Sequence, residues 1–325
     1  MSGNGAPSES FWAGRDVRVT GGTGFLGRHV TGRLHELGAD VTAFGSAEHD
    51  LRDPGAATRA LAGAEIVFHL AARVGGIGFN RRNHAVLARD NLLIGTNVYE
   101  ASRLGDVGKL VSACSVCAYP GDAPVPFRED DVWSGYPEVS NAPYGLAKRM
   151  LLVLSDAYRG QYGLDSCAPI LTNLYGPGDN YDLEDSHVVA AMIRKFTEAV
   201  ATGERRVVLW GTGEPTREFL HADDAARGLI LAAERLDDSE PVNLGTGVAT
   251  RIRDLALTIA AAAGFDGDVV WDATRPDGQR ERRLDVSRAR ERFGFKAEVG
   301  LADGLAETVL AYRRDEQGTG AGAAK

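Results

Sequence analysis

A glycine-rich turn between an apolar strand and an amphipathic helix constrains this chain more than any other feature of its sequence. The strand Val17–Val19 runs directly into the turn Thr20–Gly27, which reads TGGTGFLG. Apolar residues then recur at helical spacing. These residues are Leu26, Val30, Leu34 and Leu37. The sequence therefore predicts a strand, a tight glycine turn and a helix in direct succession.

Three glycines of this turn have distinct predicted roles. Gly21 permits the tight turn, Gly24 lets a phosphate group approach the backbone, and Gly27 allows the helix to pack closely on the strand. In such an arrangement the backbone amides and the helix N-terminus hold a pyrophosphate. The turn predicts a dinucleotide site formed by Gly21, Thr23, Gly24, Phe25, Leu26, Gly27 and Arg28.

Strand-like and helical runs alternate through the first half of the chain. The predicted strands are Val17–Val19, Asp40–Phe44, Glu65–Leu70, Lys109–Ser112 and Asp165–Leu171, with a later one at Pro241–Leu244. Helices are predicted between them, notably at Asp90–Ser102 and Tyr144–Tyr162. This alternation predicts an α/β fold of the Rossmann type, with a doubly wound parallel sheet and a smaller C-terminal α/β lobe.

The pattern also predicts a division of the chain. Residues 13–176 form the expected dinucleotide-binding domain, with returns near 219–247, and residues 177–316 form the expected substrate-binding lobe. The ends, 1–12 and 317–325, are expected to be disordered tails.

Composition excludes several classes of partner. The chain has 325 residues and a net charge of −9, which argues against nucleic acid and membrane-surface partners. It contains no apolar run long enough to cross a bilayer and no signal-peptide pattern. Its three cysteines are too few for a disulfide framework, which favours a cytoplasmic protein. No metal site is predicted.

The tip of the second strand bears on the choice of dinucleotide. An NAD-preferring fold usually offers an acid there to the adenosine ribose. The strand Asp40–Phe44 instead ends in Gly45 and Ser46, while Glu48 comes later and Arg28 follows the glycine turn. This pattern favours NADP(H) over NAD(H).

Tyr144 and Lys148 form the second informative pair. A step of four residues is about one helical turn, so the two side chains share a face of the predicted helix. A neighbouring ammonium favours the ionised form of a phenol, so we expect the pKa of Tyr144 to be lowered and the residue to act as an acid or base.

Several further segments carry a family resemblance over most of the chain. They are Ala72–Ile77, Cys117–Pro120, Tyr144–Lys148, Asn173–Asn180, Ser186–Val188, Trp210–Gly213, Arg217–His221 and Pro276–Gly278. Together with the glycine turn, they resemble the extended short-chain dehydrogenase/reductase superfamily. Within it, the chain resembles the GDP-L-fucose synthase family, whose members are 3,5-epimerase/4-reductases of GDP-4-keto-6-deoxy-mannose.

The resemblance implies roles for five residues. In the reducing step, Ser115 would hydrogen-bond the ketone oxygen, Tyr144 would give it a proton, and Lys148 would hold the cofactor ribose. Epimerisation removes a proton from one face of the sugar and delivers another to the opposite face. The family uses a cysteine and a histidine for this, and they carry over to Cys117 and His187.

The resemblance also implies binding residues and an assembly. Further cofactor contacts would come from Ser46, Asp50, Leu51, Ala71, Ala72, Leu171, Asn173 and Leu174, together with Lys148 and His187. Contacts to a GDP-sugar would come from Val74, Gly75, Gly76, Asn173, Arg194, Lys195, Trp210, Arg217 and Asp277. A homodimer would form through the helices Asp90–Ser102 and Tyr144–Tyr162.

Two alternatives remain open at this point. The segment Gly75–Asn80, followed by Asn83 and His84, equally resembles the GDP-mannose 3,5-epimerases, which use tightly bound NAD without net reduction. Those enzymes tend to have lysine near the position of His187, so the histidine favours the synthase chemistry. The other alternative is a non-catalytic dinucleotide-sensing regulator, which would not need the retained tyrosine, cysteine and histidine.

Overall fold

The computed structural model describes residues 6–75, 82–183, 185–275 and 277–322, with side chains as far as residue 316. Its α-helices are α1 (Glu9–Trp12), α2 (Phe25–Glu36), α3 (Pro54–Leu61), α4 (His84–Leu104), α5 (Ala142–Tyr162), α6 (Val188–Thr202), α7 (Ala222–Arg235), α8 (Ile252–Ala262), α9 (Ser287–Phe293) and α10 (Leu301–Gly322). Its strands are β1 (Asp16–Thr20), β2 (Asp40–Phe44), β3 (Ile66–His69), β4 (Lys109–Ser112), β5 (Cys114–Ser115), β6 (Ser166–Cys167), β7 (Ile170–Leu171), β8 (Asn173–Tyr175), β9 (Arg206–Trp210), β10 (Thr216–Arg217), β11 (Phe219–His221), β12 (Asn243–Leu244), β13 (Thr250–Arg251) and β14 (Asp268–Asp272).

A parallel sheet with the strand order β2-β1-β3-β4-β6 forms the centre of the molecule. Val17 of β1 lies opposite Val41 on one side and Ile66 on the other. Since the strands are parallel, their carboxyl ends meet at one edge, where the glycine turn also lies. The predicted Rossmann-type sheet is confirmed.

The prediction of one strand from Asp165 to Leu171 is wrong. The segment forms β6, which pairs with β4, and then β7, which pairs with β5 and β12. Pro169 separates the two strands, and proline has no N–H to continue a ladder. Its carbonyl oxygen instead accepts the N–H of Cys114 at 2.9 Å. After this break, β7 lies between β5 and β12 in a three-stranded sheet.

The expectation of disordered ends is also wrong for part of each terminus. Residues Glu9–Trp12 form α1, and Trp12 is fully buried in the core with its Nε1 donating to Glu234. At the other end, α10 continues through Gly322. Its earlier residues Leu305 and Val309 are buried, and a helix anchored in this way extends by one hydrogen bond per added residue.

Helix α2 packs against the glycine turn with almost no clearance. A Cβ atom on Gly27 would lie 2.1 Å from the carbonyl oxygen of Gly21 and 2.6 Å from the Cα of Gly22. Gly32, in the same helix, has no heavy atom within 4 Å of the corresponding position.

Among the described residues, no helix is both long and apolar enough to span a membrane.

We therefore predict opposite effects for two glycine-to-alanine changes in α2. Gly27→Ala should lower the free energy of unfolding by about 1–3 kcal/mol, because the added methyl group displaces the turn. Gly32→Ala should raise it by about 0.5–1 kcal/mol, since alanine is the better helix former. Urea denaturation of both variants measures this, and equal effects would contradict the close packing at Gly27.

Candidate active site

The glycine turn leaves backbone exposed at the start of α2. Gly24 is the residue before the helix, with φ −79° and ψ −178°, and its N–H donates to the carbonyl oxygen of Gly21 at 3.0 Å. Gly21 has φ +69°, and a Cβ atom there would lie 2.8 Å from the backbone N of Ala71. Because glycine has no side chain, the turn leaves space for a pyrophosphate against the helix N-terminus. We call this space the glycine cradle.

The other predicted residues of this turn surround the cradle. Thr23 is exposed beside it, Leu26 packs against the core, and the Phe25 ring meets His29 edge to face at 5.6 Å. Arg28 is exposed and donates to the carbonyl oxygens of Gly178 at 2.5 Å and Thr23 at 3.4 Å. Arg28 therefore connects the turn to a loop from the second half of the chain.

The Glu48 carboxylate lies at the tip of β2, although Glu48 comes four residues after the strand in the sequence. Ser46 is exposed, and the chain turns back so that a Glu48 carboxylate oxygen accepts the Gly45 N–H at 2.9 Å. Asp50 pairs with Arg52, which lowers the pKa of Asp50 to about 2. Leu51 is buried.

Five more residues with a predicted cofactor role lie on or shortly after the strands β3, β7 and β8. Ala71 and Ala72 follow β3, and Leu171 ends β7. The Asn173 side chain donates from Nδ2 to the Glu218 carbonyl oxygen at 2.8 Å, while Leu174 packs against the core. Asn173 thus helps to join β8 to the segment that leads into β11.

The structure brings Ser115, Cys117, Tyr144 and Lys148 together. Helix α5 lies so close to the segment after β5 that a Cβ atom on Gly145 would be 2.1 Å from the Cys117 carbonyl oxygen. Ser115 Oγ accepts the N–H of Cys117 at 3.3 Å, and it also interacts with the Tyr144 phenol. One compact group therefore combines a hydroxyl, a thiol, a phenol and an amine.

The electrostatics of the tyrosine differ from the prediction. Burial raises the pKa of Tyr144, and interaction with the Ser115 hydroxyl only partly offsets this. The Lys148 amine lies 5.9 Å from the centre of the Tyr144 ring and donates to the Ala113 carbonyl oxygen at 2.9 Å. The expected lowering of the phenol pKa is therefore wrong for the protein alone, because desolvation raises it. The phenol is protonated at neutral pH and can act as an acid.

Lys148 is itself affected by burial. Its side chain is only 4% exposed, and desolvation lowers its pKa to about 8. Burial, with a smaller contribution from Lys148, also lowers the pKa of His69 to about 3. The amine can therefore change its charge close to physiological pH.

Cys117 has a cationic neighbour that the sequence did not reveal. The Arg282 guanidinium donates from Nη1 to Cys117 Sγ at 3.7 Å. By contrast, Cys114 is buried and desolvation raises its pKa to about 12. Arg282 lies in the run Arg280–Arg283, where three arginines in four residues left no signal to single it out.

His187 stands apart from this group. It precedes the first residue of α6 and is exposed, although protein surrounds the ring enough for desolvation to lower its pKa. No hydrogen bond or ion pair of the described residues joins it to the four residues above. The proton-transfer role of His187 stays a prediction.

The predicted substrate residues lie mainly on the second half of the chain. Trp210 is 65% exposed, with the Arg275 guanidinium 5.0 Å from its ring centre. Burial, aided by Arg282, lowers the pKa of Arg217 to about 10. Trp210 offers a flat surface for a ring, and Arg217 offers a cation for a phosphate.

Three other predicted substrate residues already have protein partners. Arg194 pairs with Glu198 at 2.7 Å, and Lys195 donates to the Val208 carbonyl oxygen at 3.1 Å. Asp277 accepts from both the N–H and the hydroxyl of Thr212, at 2.7 Å each. Asp277 therefore shapes the loop next to Trp210.

The loop after β3 is described only in part. Val74 is 50% exposed and Gly75 is buried, while Gly76 lies outside the described residues. The described residues contain no cluster of histidine, cysteine, aspartate or glutamate suited to a metal ion.

The lowered pKa of Lys148 predicts that the free energy of unfolding depends on pH. A lysine whose pKa is lower in the folded state binds fewer protons there, so its contribution to stability rises with pH between about 8 and its ordinary value of 10.5. The unfolding free energy of the wild type should therefore rise relative to Lys148→Met by about 1–3 kcal/mol over this window.

Denaturation of the cofactor-free protein at pH 7.5 and 10 measures this difference. Lys296→Met, which removes an exposed lysine, corrects for the loss of one positive charge elsewhere. A difference between wild type and Lys148→Met that stays constant with pH would contradict the desolvation of Lys148.

The fold and this site define an α/β dinucleotide-binding enzyme. Residues 17–245 match the model of the NAD dependent epimerase/dehydratase family. The chain is 40% identical to probable GDP-L-fucose synthase 1 of Oryza sativa subsp. japonica, over 94% of this chain and 95% of that protein. It is 38% identical to GDP-L-fucose synthase of Escherichia coli strain K12, over 90% of this chain and 94% of that protein.

A solved structure has a similar fold. The GDP-L-fucose synthetase of Naegleria fowleri bound to NADP superposes with a TM-score of 0.85 at 28% identity, covering 94% of this chain and 96% of that one. The present chain belongs to the NAD dependent epimerase/dehydratase family. Its resemblance to the GDP-L-fucose synthases is confirmed.

Proposed function

We propose that this protein is an NADP(H)-dependent 3,5-epimerase/4-reductase that converts GDP-4-keto-6-deoxy-mannose to GDP-L-fucose or a close relative. The observation that carries this proposal is the grouping of Ser115, Cys117, Tyr144 and Lys148 at the carboxyl edge of the sheet. It combines the groups for ketone reduction with a thiol for proton transfer. The identity of about 40% to GDP-L-fucose synthases over nearly the whole chain supports the same substrate.

In the reducing step, Tyr144 of α5 gives a proton to the ketone. NADPH supplies the hydride when bound. The Tyr144 phenol, kept protonated by burial, donates its proton to the ketone oxygen, and Ser115 donates a hydrogen bond to the same oxygen. The Lys148 amine donates to the Ala113 carbonyl oxygen and would hold the cofactor ribose.

In the epimerising step, Cys117 and His187 exchange protons with the sugar. The hydrogen on a carbon next to a ketone is acidic, because its removal gives an enolate. One group takes this proton from one face of the ring, and the other group returns a proton from the opposite face. A thiol and an imidazole suit the task, since both kinds of group can take up and release a proton.

The cofactor assignment rests on the glycine cradle and the adenosine end of the site. The Naegleria enzyme binds NADP, and the exposed Arg28 and Ser46 are the groups that this chain offers to a 2′-phosphate. The Glu48 carboxylate at the same strand tip would instead accept from a ribose diol. A comparison of the two cofactors therefore belongs in the assay.

The decisive experiment distinguishes the synthase from a redox-neutral GDP-mannose epimerase. The protein is incubated with GDP-4-keto-6-deoxy-mannose and NADPH or NADH, and separately with GDP-mannose and NAD, and the products are identified by NMR. Consumption of NADPH and formation of a 6-deoxy-L-sugar support the synthase. Epimers of GDP-mannose with no net change in the cofactor would replace it with the alternative. Absence of turnover in every mixture would leave a non-catalytic regulator.

We predict that the two half-reactions separate by mutation. Tyr144→Phe should lower the rate of NADPH oxidation at least about 100-fold, because the ketone loses its acid, while solvent deuterium still enters carbons 3 and 5. Cys117→Ser and His187→Gln should block this deuterium entry more severely than they slow hydride transfer.

His35→Gln, which changes an exposed histidine on α2, is the matched control and should behave like the wild type. NMR of the recovered sugar gives the deuterium content. Wild-type deuterium entry in both the Cys117 and the His187 variants would refute their assigned roles.

We propose that different parts of the chain bind the dinucleotide and the GDP-sugar. Residues 13–176, with the returns near 219–247, hold the dinucleotide, while 177–316 hold the GDP-sugar. The exposed Trp210 and the half-buried Arg217 support this division.

We also propose a cytoplasmic location, which the unpaired state of all three cysteines supports.

We further propose a homodimer formed through α4 and α5. These two helices pack against each other and carry exposed apolar side chains on a shared groove. Leu92 and Met150, which both line this groove, are 42% and 38% exposed, and Leu93 and Val153 nearby are 41% and 40% exposed. A second copy of the same pair of helices would cover this surface in a four-helix arrangement.

The dimer predicts a mass of twice the 34.6 kDa of one chain at micromolar concentration. The double change Leu92→Glu with Met150→Glu should give monomers, because it places charges in an apolar contact. Leu257→Glu, which changes a 55% exposed leucine on α8, should leave the mass unchanged. Sedimentation equilibrium measures all three, and a monomeric wild type would contradict the proposal.

A further inference from the structure

Arg282 directs its positive charge at the sulfur of Cys117. The Nη1 atom of Arg282 lies 3.7 Å from Sγ, within hydrogen-bond distance of a sulfur acceptor. Arg282 is only 9% exposed, so water and salt screen this charge little. An opposite charge this close favours the ionised form of a thiol.

A second side chain fixes the guanidinium from the other side. Gln279 Oε1 accepts from Arg282 Nε at 2.6 Å, and Gln279 Nε2 donates to the Gly121 carbonyl oxygen at 2.9 Å. The backbone of Arg282 is held as well, since its N–H donates to the Thr216 carbonyl oxygen at 3.2 Å. The segment that carries Arg282 is thus tied to the loop after Cys117 and to β10.

We propose that Arg282, oriented by Gln279, is a positioning residue that holds the Cys117 sulfur as a thiolate ready to take a proton from the sugar. This inference rests on the proposed function, since it takes Cys117 as a proton-transfer group. In the step, the thiolate forms an S–H bond as the ring C–H bond breaks. The C–H electron pair moves to the ketone oxygen as an enolate, and the thiol returns its proton to solvent before the next turnover.

Two other titratable groups lie next to the Cys117 sulfur and carry no charge at neutral pH. Tyr144 on α5 and Cys114 on β5 face the sulfur, and burial raises the pKa of both, so both are neutral. Lys148 and Arg149, on the same helix, act on the neighbouring Cys114. Around Arg282 itself, Glu138 and Arg217 interact with the guanidinium and have opposite signs.

The test measures how fast iodoacetamide alkylates Cys117 as a function of pH, in the full-length protein without cofactor or substrate. Cys114 and Cys167 are buried, and a Cys117→Ser protein gives their background rate. In Arg282→Met, the midpoint of the pH profile should rise by about one unit or more. The rate at pH 7 should fall only about three-fold, because a more basic thiolate is also a better nucleophile.

Two further variants separate charge from structure. Arg282→Lys keeps the charge and should restore most of the wild-type midpoint. Arg283→Met removes the neighbouring arginine, whose guanidinium lies 3.7 Å from Glu281, and should leave the midpoint unchanged. Equal midpoints in wild type and Arg282→Met would overturn the proposal.

Gln279→Leu guards against a misfolded Arg282 variant, since it keeps the charge but frees the guanidinium. It should shift the midpoint in the same direction by a smaller amount, and a folded Gln279→Leu protein with the wild-type midpoint would also count against the proposal. With substrate present, Arg282→Met should lower deuterium entry at pH 7 and recover it at higher pH.

The alkylation result is independent of turnover. If the midpoint shifts but the wild-type protein never incorporates deuterium, the proposed function fails while the effect of Arg282 on the sulfur is supported. If the wild type incorporates deuterium but the midpoint does not shift, only the role of Arg282 fails.

Discussion

The close contact between α5 and the segment after β5 determines the geometry of the whole site. Gly145 has room for no side chain against the Cys117 carbonyl oxygen, and Lys148 is tied to the Ala113 carbonyl oxygen one turn further along. These two contacts fix the position of the helix against the strand end. Since Ser115 and Cys117 belong to the strand end and Tyr144 to the helix, the same contacts set the distances among these three side chains.

Burial gives these groups their chemistry and costs stability. A lysine amine with 4% exposure is destabilising in a protein, and its pKa is lowered accordingly. The same desolvation raises the pKa of Tyr144, so the phenol stays protonated at neutral pH. Because proton donation would leave a phenolate, this desolvation also makes the phenol a weaker acid.

Contacts between the two halves of the chain hold the loop that leads to His187. Arg28 donates to the Gly178 carbonyl oxygen, and His29 bridges the Pro177 carbonyl oxygen at 2.9 Å and Asp223 at 2.6 Å. Both residues belong to α2, the helix that begins at the glycine turn. The helix that begins at the glycine turn is thus linked directly to the loop that leads to His187.

The sequence by itself determined the parallel sheet, the glycine turn and the pairing of Tyr144 with Lys148, because strand periodicity, glycine spacing and helical pitch are local properties. Tertiary structure decided the break at Pro169, the burial of Trp12, the return of Glu48 to the tip of β2 and the contact of Arg282 with Cys117. It also reversed the expected pKa shift of Tyr144. Desolvation and long-range charge depend on what packs around a group, and residues 165 positions apart in the chain, such as Cys117 and Arg282, meet only in the folded protein.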